Sequence, residues 1–169
     1  MGRDDAPYRP NVGAAVFDGQ GRVFLARRRG DDGPEVIFSG FEWQLPQGGI
    51  APGEDAALAV RRELREETGI VSVLQLGMLD RQVTYDWPPY FGAPHPLTVW
   101  RGQVQTWFAF RFAGDESEID LTGAPPGEEP EFDSWRWERL ERIADLVVPY
   151  KRHIYVELTA AFAPFARPA

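Results

Sequence analysis

The chain has no cysteine, which excludes a disulfide framework, a thiolate nucleophile and a zinc ribbon. It lacks any run approaching the ~20 apolar residues of a membrane span. Its first residues, MGRDDAPYRP, have no apolar signal-peptide core, so a cytoplasmic protein is expected. Basic charge is scarce as well: 18 Lys and Arg against 26 Asp and Glu leave a net charge of −8. That argues against nonspecific binding along a duplex groove, which needs a basic field. An enzyme that grips one phosphorylated end remains open, because bound cations supply local positive charge.

What is present is enough for one core. The 169 residues are 43% apolar, which suits a single domain. No internal repeat or dividing linker is visible. The expected organisation is a loose tail over 1–7 and one domain over 8–165, favoured as a monomer.

The chain is organised around residues 48–70, GGIAPGEDAALAVRRELREETGI. Asp55 is placed to cap a helix, Ala57, Val60 and Leu64 form an apolar stripe at helical spacing, and Gly69 suits the left-handed stop. On that helix Glu63, Glu66 and Glu67 share one face. Like charges so spaced repel by roughly 0.2–0.5 kcal/mol per pair, and a cation reverses the sign. Oxygen-only ligands suit Mg²⁺ or Mn²⁺ rather than zinc. Taken alone, the run Arg61–Glu67 also fits an ordinary solvated helix face.

The full pattern is more specific: G, five residues, E, seven residues, R-E-apolar, one residue, E-E, one residue, G-apolar. Seven fixed residues at ~7% usage make a chance match on the order of 10⁻⁸ per position. It resembles the Nudix box of the Nudix hydrolases at every defining position. Tyr8–Gly13, Trp43–Gly49, Pro130–Asp133, Trp135–Trp137 and Tyr150–Arg152 resemble the branch holding RNA pyrophosphohydrolases and asymmetric diadenosine tetraphosphate hydrolases. The resemblance runs from about Tyr8 to Phe162. It implies an α/β fold, an α/β/α sandwich with a mixed sheet. It also implies metal ligation by the Gly48 carbonyl and by Glu131, besides Glu63, Glu66 and Glu67 as catalytic acids. Glu54 is implied to pair structurally with Arg62. Arg9, Arg27 and Lys151 are implied to contact substrate phosphates, although Arg27 at a strand end is equally a solvated charge.

Val12–Phe17 and Val23–Arg28 read as a hairpin across Asp18–Gly21. Residues 30–42 form a loop, longer than is usual in the branch, that either trims the substrate mouth or is a plain insertion. Residues 85–97, YDWPPYFGAPHPL, are too rich in proline for a central strand. They form either a packed loop or a base-stacking platform with Tyr85, Trp87, Tyr90 and Phe91 as candidates. His95, between two prolines, reads as a turn residue. Gln103–Phe112 alternates as a long strand. Relatives commonly carry lysines where Val104 and Thr106 stand, so the support for a basic RNA-tracking surface is absent. The last helix shows Ile154, Leu158, Ala161, Phe162 and Phe165 as a core stripe.

The implied activity is removal of pyrophosphate or phosphate from a 5′-triphosphate or 5′-diphosphate RNA end. The alternatives are hydrolysis of diadenosine tetraphosphate to ATP and AMP, and nucleotide binding without hydrolysis. Metal-lowered water pKa and charge neutralisation would serve either hydrolysis. One of the acids would accept the water proton.

Overall fold

In the computed structural model, residues 3–169 are described. Strands β1 (Tyr8–Phe17), β2 (Val23–Arg28), β3 (Trp43–Gln44) and β4 (Gln47–Gly49) precede helix α1 (Ala56–Thr68). Strands β5 (Val73–Met78), β6 (Val83–Asp86), β7 (Gly102–Phe112) and β8 (Phe132–Glu138) follow, and helices α2 (Ile143–Leu146) and α3 (Arg152–Ala161) close the chain. The tail expected over 1–7 lies partly outside the described residues. Within them, Arg3–Asp5 make a 3₁₀ turn, and Arg101 donates to the Asp4 carbonyl at 3.0 Å.

The sheet is mixed. Its path runs β3-β2-β1-β7-β5, with β4 paired to β1, β6 to β7 and β8 to β2. β1 and β7 are parallel over ten residues, Tyr8–Phe17 against Gly102–Arg111, while the other pairings are antiparallel. Strand alternation sends alternate side chains to opposite faces. Val12, Ala14, Val16, Phe24, Ala26, Phe108 and Phe110 pack with Ala59, Val60 and Leu64 of α1. Ala15, Phe17, Val23, Leu25, Trp107 and Ala109 pack with Ile154, Tyr155 and Leu158 of α3. Helices on both faces make the α/β/α sandwich. No described helix is long and apolar enough to cross a membrane.

One feature of the register creates the site. β1 meets β2 at Phe17–Val23 but pairs with β4 over Asn11–Gly13. Its two antiparallel partners therefore diverge, and the sheet opens at the end where β1 begins. Buried polar residues face this opening, Asn11, Gln44, Gln47 and Gln103, with buried Gln105 bonded to Asn11 and Gln47.

Candidate active site

Helix α1 delivers the acids. Asp55 caps it by accepting from the Ala57 and Leu58 amides, and Gly69 ends it at φ 75 with its amide on the Arg65 carbonyl. A Cβ at Gly69 would meet the Glu118 carbonyl at 2.7 Å, so glycine is required there twice over. With both ends fixed, the apolar stripe seats α1 on the sheet, and Glu63, Glu66 and Glu67 reach the opening.

They line a cavity of about 370 Å³ with Arg9, Asn11, Gln44, Gln47, Gly48, Gly49, Arg62 and Gln103. Asp32, Glu35, Glu128 and Glu131 complete its wall. Seven carboxylates thus face two arginines. The glycines let the acids in: a Cβ at Gly48 would lie 2.1 Å from the Glu63 carboxyl carbon, and one at Gly49 would lie 2.2 Å from the Arg9 guanidinium. Arg9 has no ion-pair partner among the described residues.

Arg62 organises the rim. It donates to both Glu54 oxygens at 2.8 and 2.9 Å and to the Gly49 carbonyl at 3.0 Å. It also reaches Glu63 at 2.9 Å and Glu66 at 3.1 Å. The Arg62 bond and the Ala51 amide hold Glu54 down at about 2, so it remains an anion. Among the described residues no three acids already converge as a ligand set, and Glu63 and Glu66 are bonded to Arg62. The interior acids are under electrostatic stress. Burial, then the charges of Glu131 and Glu63, push Glu67 well above the usual carboxylate range. Burial raises Glu63 and Glu131 as well. Glu67 Oε2 is buried without a hydrogen-bond partner. A divalent cation would relieve both the repulsion and the orphaned oxygen, so the donor set fits one.

Four expectations need correction or refinement. Arg27 points away from the cavity and pairs with Asp133 at 2.9 Å. The basic side chain at the end of β2 that lies behind the cavity wall is its neighbour Arg28, which is buried, 3.6 Å from Glu131 and bonded to the Glu35 carbonyl at 2.8 Å. A register shift falls between Arg27 and Arg28, and Arg28 continues the face of Phe24 and Ala26. Tyr85 and Trp87 are not a stacking platform, since both are buried and pack edge to face with each other at 5.7 Å. The Tyr85 hydroxyl instead accepts from Gln103 at 2.7 Å and Gln47 at 3.0 Å. Phe91 is almost fully exposed and Tyr90 bonds the Ala93 carbonyl at 2.7 Å; neither lines the acid cavity. Lys151 is buried and bonds Glu35 and Gln44, not the open cavity.

Sequence reasoning missed the polar floor. Glu35, in the 30–42 loop, accepts from Lys151, from Gln47 at 3.1 Å and from Tyr85 at 3.1 Å. Burial alone would raise its carboxyl, but Lys151 and Arg28 hold it below the usual range. Gln105 bonds Asn11 at 2.8 Å and Gln47 at 3.2 Å and accepts from Trp107 at 3.0 Å. His95 is indeed a turn residue: it accepts from the Leu97 amide at 3.2 Å and faces Asp32 at 3.1 Å. The only available signal for the floor was the alternation of Gln103 and Gln105 in a strand otherwise apolar within.

Comparison with known proteins agrees with this geometry. The NUDIX domain pattern matches residues 7–158. The chain is 49% identical over 165 residues to the RNA pyrophosphohydrolase of Caulobacter vibrioides (strain NA1000 / CB15N), covering 97% of this chain and 91% of that protein. It is 44% identical to the RNA pyrophosphohydrolase of Rhizobium meliloti (strain 1021), covering 99% and 100%. In fold it is similar to the crystal structure of the MutT protein from Methanosarcina mazei Go1, with a TM-score of 0.61 at 21% identity, covering 93% of this chain and 96% of that one.

Proposed function

The chain belongs to the NUDIX family, and from that premise we propose that it is a cytoplasmic RNA pyrophosphohydrolase, active as a monomer. It removes pyrophosphate or phosphate from a 5′-triphosphorylated or diphosphorylated RNA end and leaves a 5′-monophosphate. The observation that carries this reading is the lining of one cavity by Glu63, Glu66, Glu67 and Glu131, in a chain nearly half identical along its length to named RNA pyrophosphohydrolases.

The donor set suits Mg²⁺ or Mn²⁺, held by Glu63, Glu66, Glu67, Glu131 and the Gly48 carbonyl. Such ions neutralise phosphate charge and lower the pKa of an attacking water. The protein's own part is positioning. Arg62 fixes the 49–54 loop and the rotamers of Glu63 and Glu66. Arg9, whose guanidinium on the wall has no ion-pair partner among the described residues, is placed to take a phosphate oxygen. One of the α1 carboxylates accepts the proton of the water as phosphorus is attacked, and the anhydride oxygen leaves.

A second reading, hydrolysis of diadenosine tetraphosphate, is favoured by the net charge of −8, which offers little to a long RNA. A panel of triphosphate-ended RNA, diphosphate-ended RNA and diadenosine tetraphosphate, compared by kcat/KM with Mg²⁺ or Mn²⁺, tests the choice. RNA ends are expected to lead. A tenfold preference for the dinucleotide would overturn the assignment.

A further inference from the structure

Behind the acid wall lies an arrangement that the proposed chemistry does not use. Lys151 and Arg28 are the two buried cations among the described residues, 1% and 2% exposed, and neither lines the cavity. Glu35 does line it, and so screens both cations from whatever enters. Its Oε1 accepts from the Lys151 ammonium, the Gln47 amide and the Tyr85 hydroxyl. Its Oε2 accepts from Gln103 at 3.4 Å, and its carbonyl from Arg28. Four donors aimed at one carboxylate make a built anion seat. A phosphate oxygen is satisfied by the same ammonium, amide and hydroxyl donors. Beside the seat, Arg28 Nη1 is buried with no hydrogen-bond partner, while its Nε lies 3.6 Å from Glu131.

The occupant arrives on a loop rather than on a strand or helix. Glu35 sits between Gly33 at φ 56 and Gly40 at φ 90, conformations that glycine adopts without strain. The loop is tied to the body by Asp32 on His95 at 3.1 Å and by the Tyr150 hydroxyl on the Val36 carbonyl at 2.5 Å.

We propose that Glu35 is a specificity-determining residue: a loop-borne carboxylate that occupies an anion seat for a substrate phosphate and must be displaced for that phosphate to reach Lys151 and Arg28. This rests on the reading of the cavity as a polyphosphate site. Displacement exchanges one anion for another on the same donors, so it leaves no buried cation unpaired.

The test is calorimetric titration with methylenediphosphonate, a pyrophosphate mimic that water cannot cleave at its bridge, in Mg²⁺ buffer. Glu35→Gln keeps the shape and removes the charge, and is expected to bind at least tenfold more tightly than wild type. Adding Lys151→Met is expected to cancel that gain. Unchanged or weaker binding by a folded Glu35→Gln would overturn the proposal and leave Glu35 as a structural partner of Lys151. Should that variant fail to melt cooperatively, Glu35→Asp, which withdraws the charge by one methylene, is expected to gain about threefold, and no gain there overturns the proposal equally. Wild type that binds no diphosphonate at all contradicts the polyphosphate site itself, a different failure from an unaltered ratio between variants.

Discussion

The two ends of the sheet are built on opposite rules. At one end Phe17, Val23, Leu25, Trp107 and Ala109 pack against Tyr155, Leu158 and Phe162 in one apolar cluster. Polar contacts there are paired: the Leu45 amide donates to the Tyr155 hydroxyl at 2.8 Å and the Trp107 indole to Gln105 at 3.0 Å. At the other end the same strands carry Arg9, Asn11, Gln103 and Gln105. Of seven buried side-chain atoms left without a partner among the described residues, five belong to Asn11, Arg28, Glu67 and Gln103. Buried polar atoms are normally paired, and repelling carboxylates in an interior oppose folding. The apolar end therefore supplies the stability that lets the polar end hold unsatisfied groups ready for a ligand.

Substitutions can break that contrast. The largest effect is expected from Trp107→Ala at the apolar end. It should lower stability by about 3–5 kcal/mol by chemical denaturation, through lost burial and a cavity. A loss under about 1 kcal/mol would deny that end its role. At the polar end Glu66→Gln should lower kcat by about 10²–10³, as for loss of electrostatic stabilisation, with the melting temperature little changed, because relief of like-charge repulsion offsets the lost ion pair with Arg62. Destabilisation by more than about 1 kcal/mol with near-normal turnover would reverse the comparison. Tyr155→Phe strands the Leu45 amide and should cost about 1–3 kcal/mol in unfolding with kcat preserved.

The smallest effect concerns acid. The folded carboxyl of Glu54 lies below its ordinary value of 4.5, at about 2. Its pairing with Arg62 thus stabilises the fold fully above pH 4.5 and loses that contribution as the pH falls through about 2. The melting-temperature gap between wild type and Glu54→Gln should be constant from pH 7 to 5, shrink below 4.5 and close near 2. A gap that widens on acidification contradicts the sign.

The sequence made the polar helix legible because its information is local. Caps at Asp55 and Gly69 and a period of 3.6 put Glu63, Glu66 and Glu67 on one face without any tertiary knowledge. The pairing of Glu54 with Arg62, eight residues apart, was implied by the resemblance to the Nudix box and not by caps or period. Strand parity was readable too, but the resemblance that favoured Arg27 places a basic residue only at the end of β2, where Arg27 and Arg28 are neighbours and point to opposite faces. The proline-rich stretch read as surface, yet Trp87 is folded inward, its indole donating to the Leu97 carbonyl at 3.2 Å. Glu35 was illegible for a plainer reason. Its partners Gln47, Tyr85, Gln103 and Lys151 lie 12 to 116 residues away, and no periodicity in a glycine-containing loop points to them.

The central claim is that the α1 carboxylates gather divalent cations against a polyphosphate. Anomalous diffraction from crystals grown with Mn²⁺ and methylenediphosphonate tests it most directly. The account predicts manganese peaks within about 2–2.5 Å of carboxylate oxygens of Glu63, Glu66 and Glu67, with the diphosphonate bridging them. Manganese bound elsewhere, with Glu63 and Glu66 still held by Arg62 and the cavity free of ions, would contradict it.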